Sequence, residues 1–282
     1  MNTLTEQRQR FEQVCVRTSR SVTHTYSTSF SWGIRLLGPR FRDPIRSIYA
    51  FVRLADEVVD TFHEHDRAAL LEELRVDTHR AIERGISCNP ILHSFQAVVR
   101  RYAIPLALID GFLESMATDL HVRTHDDRSS EAYITGSARC VGSMCLVVFC
   151  EGDARLFAEL DPHACSLGSA FQKINFLRDI RMDQQVLGRS YFEGTAHGLS
   201  SERKRRIEAT IDSELAHAAQ GIARLPNGAR SGVRLATAYF TRLFERLRAA
   251  TPDELMERRF RVSDARKLGL LVSHLAVRPF QA

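Results

Sequence analysis

Two aspartate pairs with the same internal spacing stand about 120 residues apart in this chain. Asp56 and Asp60 lie in L-A-D-E-V-V-D, and Asp179 and Asp183 lie in F-L-R-D-I-R-M-D. Residues four apart share a helix face, so each pair offers two carboxylates to one side. Both stretches carry apolar residues at helical spacing. Ile45, Ile48, Tyr49, Val52 and Ala55 run into the first pair; Leu167, Ala170, Phe171, Ile174, Leu177 and Ile180 surround the second. A fold that packs two such helices together brings four negative charges toward one place, which is unfavourable unless cations sit between them. Hard divalent ions, Mg²⁺ first and Mn²⁺ as the alternative, bridge carboxylates to phosphate oxygens. The pairs therefore point to a metal-held diphosphate site between two helices.

The rest of the chain reads the same way. No alternating β-branched runs flanked by hairpin turns occur. Breakers at Gly38-Pro39, Asn89-Pro90, Pro105, Asp161-Pro162, Leu187-Gly188, Pro226-Asn227-Gly228 and Thr251-Pro252 divide it into segments with apolar residues at three-to-four spacing. Two segments, 138–150 and 268–275, are apolar over most of their circumference and belong in the middle of a bundle. The expectation is one all-α domain over residues 1–282, about ten helices around a central cavity.

Composition narrows the function classes. The chain is 44% hydrophobic and 26% charged, as in soluble globular proteins. No apolar run reads as long enough to span a bilayer, and the polar N-terminus lacks the apolar core of a signal peptide, so the cytoplasm is the default expectation. The six cysteines show no CxxC pair and are read as buried free thiols. The net charge is +5 and almost wholly arginine, a residue suited to phosphate. The basic run Arg203–Arg206 has no interleaved aromatics and reads as a solvated helix start, so no nucleic-acid partner is expected. The sequence carries no signal for an oligomeric state.

Around each aspartate pair, polar residues occupy positions where an amphipathic helix would bury leucine. Tyr49, Arg53, Asp56 and Asp60 advance by four, three and four; Gln172, Asn175, Arg178, Asp179 and Asp183 follow largely the same face. Burying that set is costly without a polar ligand and metal ions as partners. Glu57 and Glu64 fall on the outer side. Phe30, Phe51, Phe149, Phe171 and Phe176 are candidates for lining an apolar chamber.

These residues, together with Tyr26-Ser-Thr-Ser-Phe30 and Gly188-Arg-Ser-Tyr-Phe192, resemble the successive signatures of the squalene/phytoene synthase family, over nearly the whole chain. The resemblance implies an isoprenoid-synthase helical bundle and head-to-head condensation of two prenyl diphosphates. It implies that Asp56, Asp60, Asp179 and Asp183, helped by Asn175, hold Mg²⁺, and that Arg53 and Arg178 grip diphosphate. Tyr26 and Ser27 would line the first diphosphate site, and Tyr49 and Gln172 would flank the reacting carbons. Arg189 and Tyr191 would belong to a flap, and Tyr239 and Arg259 match family positions more loosely. Thr135 stands where the family often has tyrosine.

The wording of the first motifs resembles bacterial phytoene synthases most. That implies joining two geranylgeranyl diphosphates through a cyclopropyl diphosphate to phytoene, with no NADPH. Squalene, dehydrosqualene or presqualene-diphosphate synthesis from farnesyl diphosphate, and a non-catalytic assembly factor of the same fold, stay open as alternatives. Ordinary chain-elongating prenyltransferases carry adjacent aspartates, which neither motif has. The apolar product makes peripheral contact with the inner face of a membrane a further expectation.

Overall fold

A computed structural model describes residues 3–195 and 198–263, with 269 and 271. Most of the apolar segment 268–275 lies outside the described residues. The helices are α1 (Thr3–Tyr26), α2 (Thr28–Arg35), α3 (Pro39–Asp60), α4 (Arg67–Arg84), α5 (Pro90–Tyr102), α6 (Leu106–His121), α7 (Asp127–Ile134), α8 (Cys140–Cys150), α9 (Ala154–Gln185), α10 (Ser201–Arg224), α11 (Asn227–Ala249) and α12 (Pro252–Glu257). A π-helical turn, Thr135–Arg139, joins α7 to α8. Among the described residues there is no strand, only one bridge between Thr124 and Ser190.

Local chemistry sets the boundaries. Ser27, Asp66, Asn89, Asp153 and Ser200 each accept a hydrogen bond from a first-turn amide, which satisfies donors a helix start leaves open. Asp126 with Ser129, and Thr251 with Glu254, form reciprocal caps. Most of the expected breakers are helix starts: Pro39, Pro90 and Pro252 sit in first turns, where a missing N–H costs nothing. Asp161-Pro162 is the exception. Pro162 lies within α9, near its beginning, and the helix continues through it to Gln185.

α3 and α9 carry two different faces. The core face of α3 holds Phe51, Ala55 and Val58; Phe51 stacks on Phe95 at 4.0 Å and meets the Phe112 edge at 5.7 Å. Phe51 is thus a core residue rather than a chamber-lining one. On α9 the core face is Ala170, Ile174, Leu177 and Ile180, all buried. The segment 127–150 is long and apolar enough, by length and composition, to cross a membrane, against the sequence reading. Half of its most apolar window is buried, and it packs against α3, α6 and α9, which accounts for its apolarity. The π turn fits between neighbours at close quarters: a Cβ on Gly136 would lie 2.5 Å from the Gly111 carbonyl oxygen, and one on Gly168 would lie 2.6 Å from that of Ala138. All six cysteines are free; Cys15 and Cys150 are buried, but Cys88 is exposed.

Candidate active site

The other faces of α3 and α9 line a cavity of about 1350 Å³, together with α2, α8, α10, α11 and the segment after α9. All fourteen site candidates from the sequence line it: Tyr26, Ser27, Tyr49, Arg53, Asp56, Asp60, Gln172, Asn175, Arg178, Asp179, Asp183, Arg189, Tyr239 and Arg259. Glu57 does not; it accepts from Arg53 and Thr61. Phe30, Phe149, Phe171 and Phe176 line the cavity as expected, and Phe240 stacks on Phe171 at 3.8 Å.

The carboxylates gather at one end. Burial, then Asp60, pushes Asp56 up to about 7. Asp56 keeps 35% of its side-chain surface accessible, but that surface faces the cavity rather than bulk water. Burial, then Asp179 and Asp60, pushes Asp183 up to about 8. Asp60 acts on Asp183 across two helices, and all four carboxylates line the one cavity, so the pairs converge.

Arginines occupy the spaces between the acids. Arg189 is 2% exposed; it donates to Asp60 at 2.6 Å and lies 3.7 Å from Asp119. Burial opposes its charge, but Asp119, Tyr191 and Asp60 outweigh that and hold its protonation above the ordinary range. Arg178 donates to Asp179 at 3.0 Å. Arg259 Nε lies 2.6 Å from Asp179 Oδ1, although its N–H is not aimed along that line, and the oxygen is left without a hydrogen bond. Arg53 pairs with Glu57 and stands 4.4 Å over the Tyr26 ring. Burial, above all, pushes both Tyr49 and Tyr239 up to about 12.

Asp119 is a site residue that sequence reading missed. It is 4% exposed and accepts from Tyr133 Oη at 2.6 Å and Tyr191 Oη at 2.9 Å. Burial raises it to about 6 against the pull of Arg189 and the two phenols. Its signal was present: Ile109, Phe112, Met116 and Asp119 follow three-to-four spacing, so an acid ends an apolar stripe. Tyr133, not the exposed Thr135, presents a phenol to the cavity; the Thr135 hydroxyl donates back to the Glu131 carbonyl.

Residues 187–195 fold over this end. Arg189 N donates to the Asp183 carbonyl, Ser190 N to that of Arg123, and His125 N to that of Ser190. The Tyr191 ring stacks on Phe176 at 4.2 Å. These contacts fix Arg189 and Tyr191 against the ends of α6 and α9.

Polar atoms without partners show what the end of the cavity is built to receive. Among the described residues, buried Arg53 Nε and Arg189 Nε lack an acceptor, while buried Asn175 Oδ1 lacks a donor. Unused donors suit an anion and unused acceptors a cation. No three acidic, His or Cys side chains among the described residues form a closed cage.

The sequence profile of squalene/phytoene synthases matches residues 23–266. The chain belongs to the squalene/phytoene synthase family. Its members are prenyltransferase-type synthases, and this chain is an enzyme of that type. It is 28% identical to the 15-cis-phytoene synthase of Paracoccus sp. (strain N81106 / MBIC 01143), covering 91% of this chain and 89% of that one. It is 32% identical to the presqualene diphosphate synthase of Zymomonas mobilis subsp. mobilis (strain ATCC 31821 / ZM4 / CP4), covering 61% of this chain and 58% of that one. The fold is that of a dehydrosqualene synthase crystallised with a ligand, with a TM-score of 0.76 at 18% identity, covering 94% and 96% of the two chains.

Proposed function

We propose that this family member joins two geranylgeranyl diphosphates head to head and releases phytoene without a reductant. The observation that carries the reading is the polarity of the cavity. One end collects Asp56, Asp60, Asp179 and Asp183 with arginines between them, and the remainder is walled mostly by aromatic and aliphatic side chains. A molecule with an anionic head and a long hydrocarbon tail matches that division.

Asp56 and Asp60 on one wall, and Asp179, Asp183 and Asn175 on the other, would hold Mg²⁺ or Mn²⁺. Such an ion, when bound, would supply positive charge to offset that of the diphosphate leaving group. Arg53, Arg178, Arg189 and Arg259 bind phosphate oxygens and stabilise the charge that develops on them. Tyr26 and Ser27 line the approach to the first diphosphate. Loss of diphosphate leaves an allylic cation, which adds to the double bond of the second substrate to give a cyclopropyl diphosphate. A second ionisation and rearrangement joins the chains, and loss of a proton forms the central double bond. Tyr49 and Gln172 flank the reacting carbons. The Phe171–Phe240 stack and Phe30 keep water away and offer ring faces to positive charge. Asp119 holds Tyr133, Tyr191 and Arg189 in position behind the acids.

The second reading is condensation of farnesyl diphosphate, favoured by the match to the presqualene diphosphate synthase. A non-catalytic role accounts for neither the four retained carboxylates nor the cavity they share. The deciding experiment is product analysis from geranylgeranyl and farnesyl diphosphates, each with and without NADPH. A forty-carbon hydrocarbon formed without NADPH is expected. A thirty-carbon product alone, or dependence on NADPH, would overturn the reading.

A further inference from the structure

The cavity changes character along α9. From Asp183 to Gln172 its polar lining, Asp183, Asp179, Arg178, Asn175 and Gln172, is interrupted only by Met182 and Phe176; from Phe171 through Leu167 and Ala164 it is apolar. Then comes one polar side chain, His163, and the α9 lining stops one turn later at Leu160. An imidazole set among apolar lining, one turn before the α9 lining ends, calls for an explanation, because an alkyl group pressed on it strips water from a polar nitrogen.

His163 is held tightly. Its Nδ1 lies 2.8 Å from the His217 carbonyl oxygen on α10. A carbonyl only accepts, so Nδ1 carries the hydrogen and Nε2 is left for other contacts. The ring lies 4.2 Å from the His217 ring, whose Nδ1 is in turn 2.8 Å from Ser166 Oγ. Behind it, α10 presents Gly221; a Cβ there would come within 2.3 Å of His163 Cβ. The bare backbone at 221 lets α10 close on α9 and fixes the imidazole in place. Sequence position 221 therefore tolerates nothing larger while His163 stays where it is.

Depth follows from helix geometry. A helix rises about 1.5 Å per residue, so His163 stands about 24 Å along α9 from Asp179. An extended isoprene unit, four backbone bonds, is about 5 Å long, a little under the ~5.4 Å of one helical turn. Four units reaching from the aspartates end beside Ala164, against His163. Three end about one turn earlier, near Gly168, and five collide with the imidazole.

We infer that His163, seated on Gly221, is the floor that sets the length of the prenyl chain lying along α9, with Ala164 as the last position the chain fills. This rests on the proposed prenyl diphosphate reading and adds to it the residues that select four isoprene units over three or five. Chain-terminal fit of this kind is worth at least about tenfold in relative kcat/KM per extra or missing unit.

The test presents wild type, His163→Ala and Ala164→Leu with equimolar farnesyl, geranylgeranyl and geranylfarnesyl diphosphates. Product ratios are read by mass spectrometry and folding by circular dichroism. Wild type should prefer the twenty-carbon substrate. His163→Ala should raise the twenty-five to twenty ratio by at least about tenfold, and Ala164→Leu should raise the fifteen to twenty ratio similarly. Should His163→Ala fail to fold, Ala164→Leu decides alone. Folded, active variants with the wild-type ratios would overturn the floor while leaving the proposed reaction standing. Wild type that favours the fifteen-carbon substrate would overturn the assigned depth. Wild type that turns over none of the three would overturn the proposed function, and this inference with it.

Discussion

Removing one negative charge from the acidic end should make the metal-free protein more stable while destroying its response to Mg²⁺. Asp183→Asn is the clearest case. Burial, with Asp179 and Asp60, holds this carboxyl at about 8 against an ordinary 3.8. A folded-state value above the unfolded one means the native state binds the extra proton. Stability is then full below about pH 4 and falls as pH rises through about 8. At pH 7.5, nearly four pH units at 1.36 kcal/mol each bound the penalty at about 5 kcal/mol. Cavity water and the coupling to neighbouring acids screen that to about 1–2 kcal/mol. For a chain of this size the substitution should raise Tm by roughly 2–6 °C in chelator at pH 8, and by far less at pH 5. Calorimetry across that pH range gives the difference directly. With Mg²⁺ and diphosphate added, wild type should gain stability and Asp183→Asn should not. A lower Tm for Asp183→Asn in chelator at pH 8 would show that the acids are not crowded, and the reasoning would fail.

Three further outcomes are expected. Asp179→Ala should cut turnover by at least about a hundredfold, measured as diphosphate release, with far-ultraviolet circular dichroism unchanged. Asp119→Ala leaves the Tyr133 and Tyr191 phenols without an acceptor and removes one carboxylate from buried Arg189; it should cost about 2–4 kcal/mol in urea unfolding and lower kcat more than it raises KM. Gly136→Ala puts a Cβ 2.5 Å from the Gly111 carbonyl oxygen, so it should cost about 1–3 kcal/mol even though alanine favours helix elsewhere.

What the sequence made visible was anything carried by local periodicity. The two faces of α3 and α9, and hence both carboxylate pairs, follow from three-to-four spacing alone. Capping residues and first-turn prolines marked several helix starts. Pro162 misled because a proline in a chain of breakers looks like a boundary, whereas a proline early in a long helix disturbs it only locally. Phe51 could not be told from Phe30 or Phe171 because periodicity gives a face but not what the face meets. Arg203–Arg206 read as solvated, yet Lys204 is 6% exposed and donates to Glu208 and to the Arg248 carbonyl. The bonds among Asp119, Arg189 and Tyr191 join α6 to the segment after α9, and His163 meets Gly221 across two helices. Contacts between such distant positions leave no periodic trace in one sequence.

The central claim is that the opposed carboxylates hold divalent metal against a diphosphate inside the cavity. Its most direct measurement is anomalous diffraction from crystals grown with Mn²⁺ and an unreactive thiolodiphosphate analogue of geranylgeranyl diphosphate. The account predicts anomalous peaks beside Asp56 and Asp60 and beside Asp179 and Asp183, with the analogue's tail running along α9. Analogue bound in the cavity with no anomalous peak at either pair would contradict it.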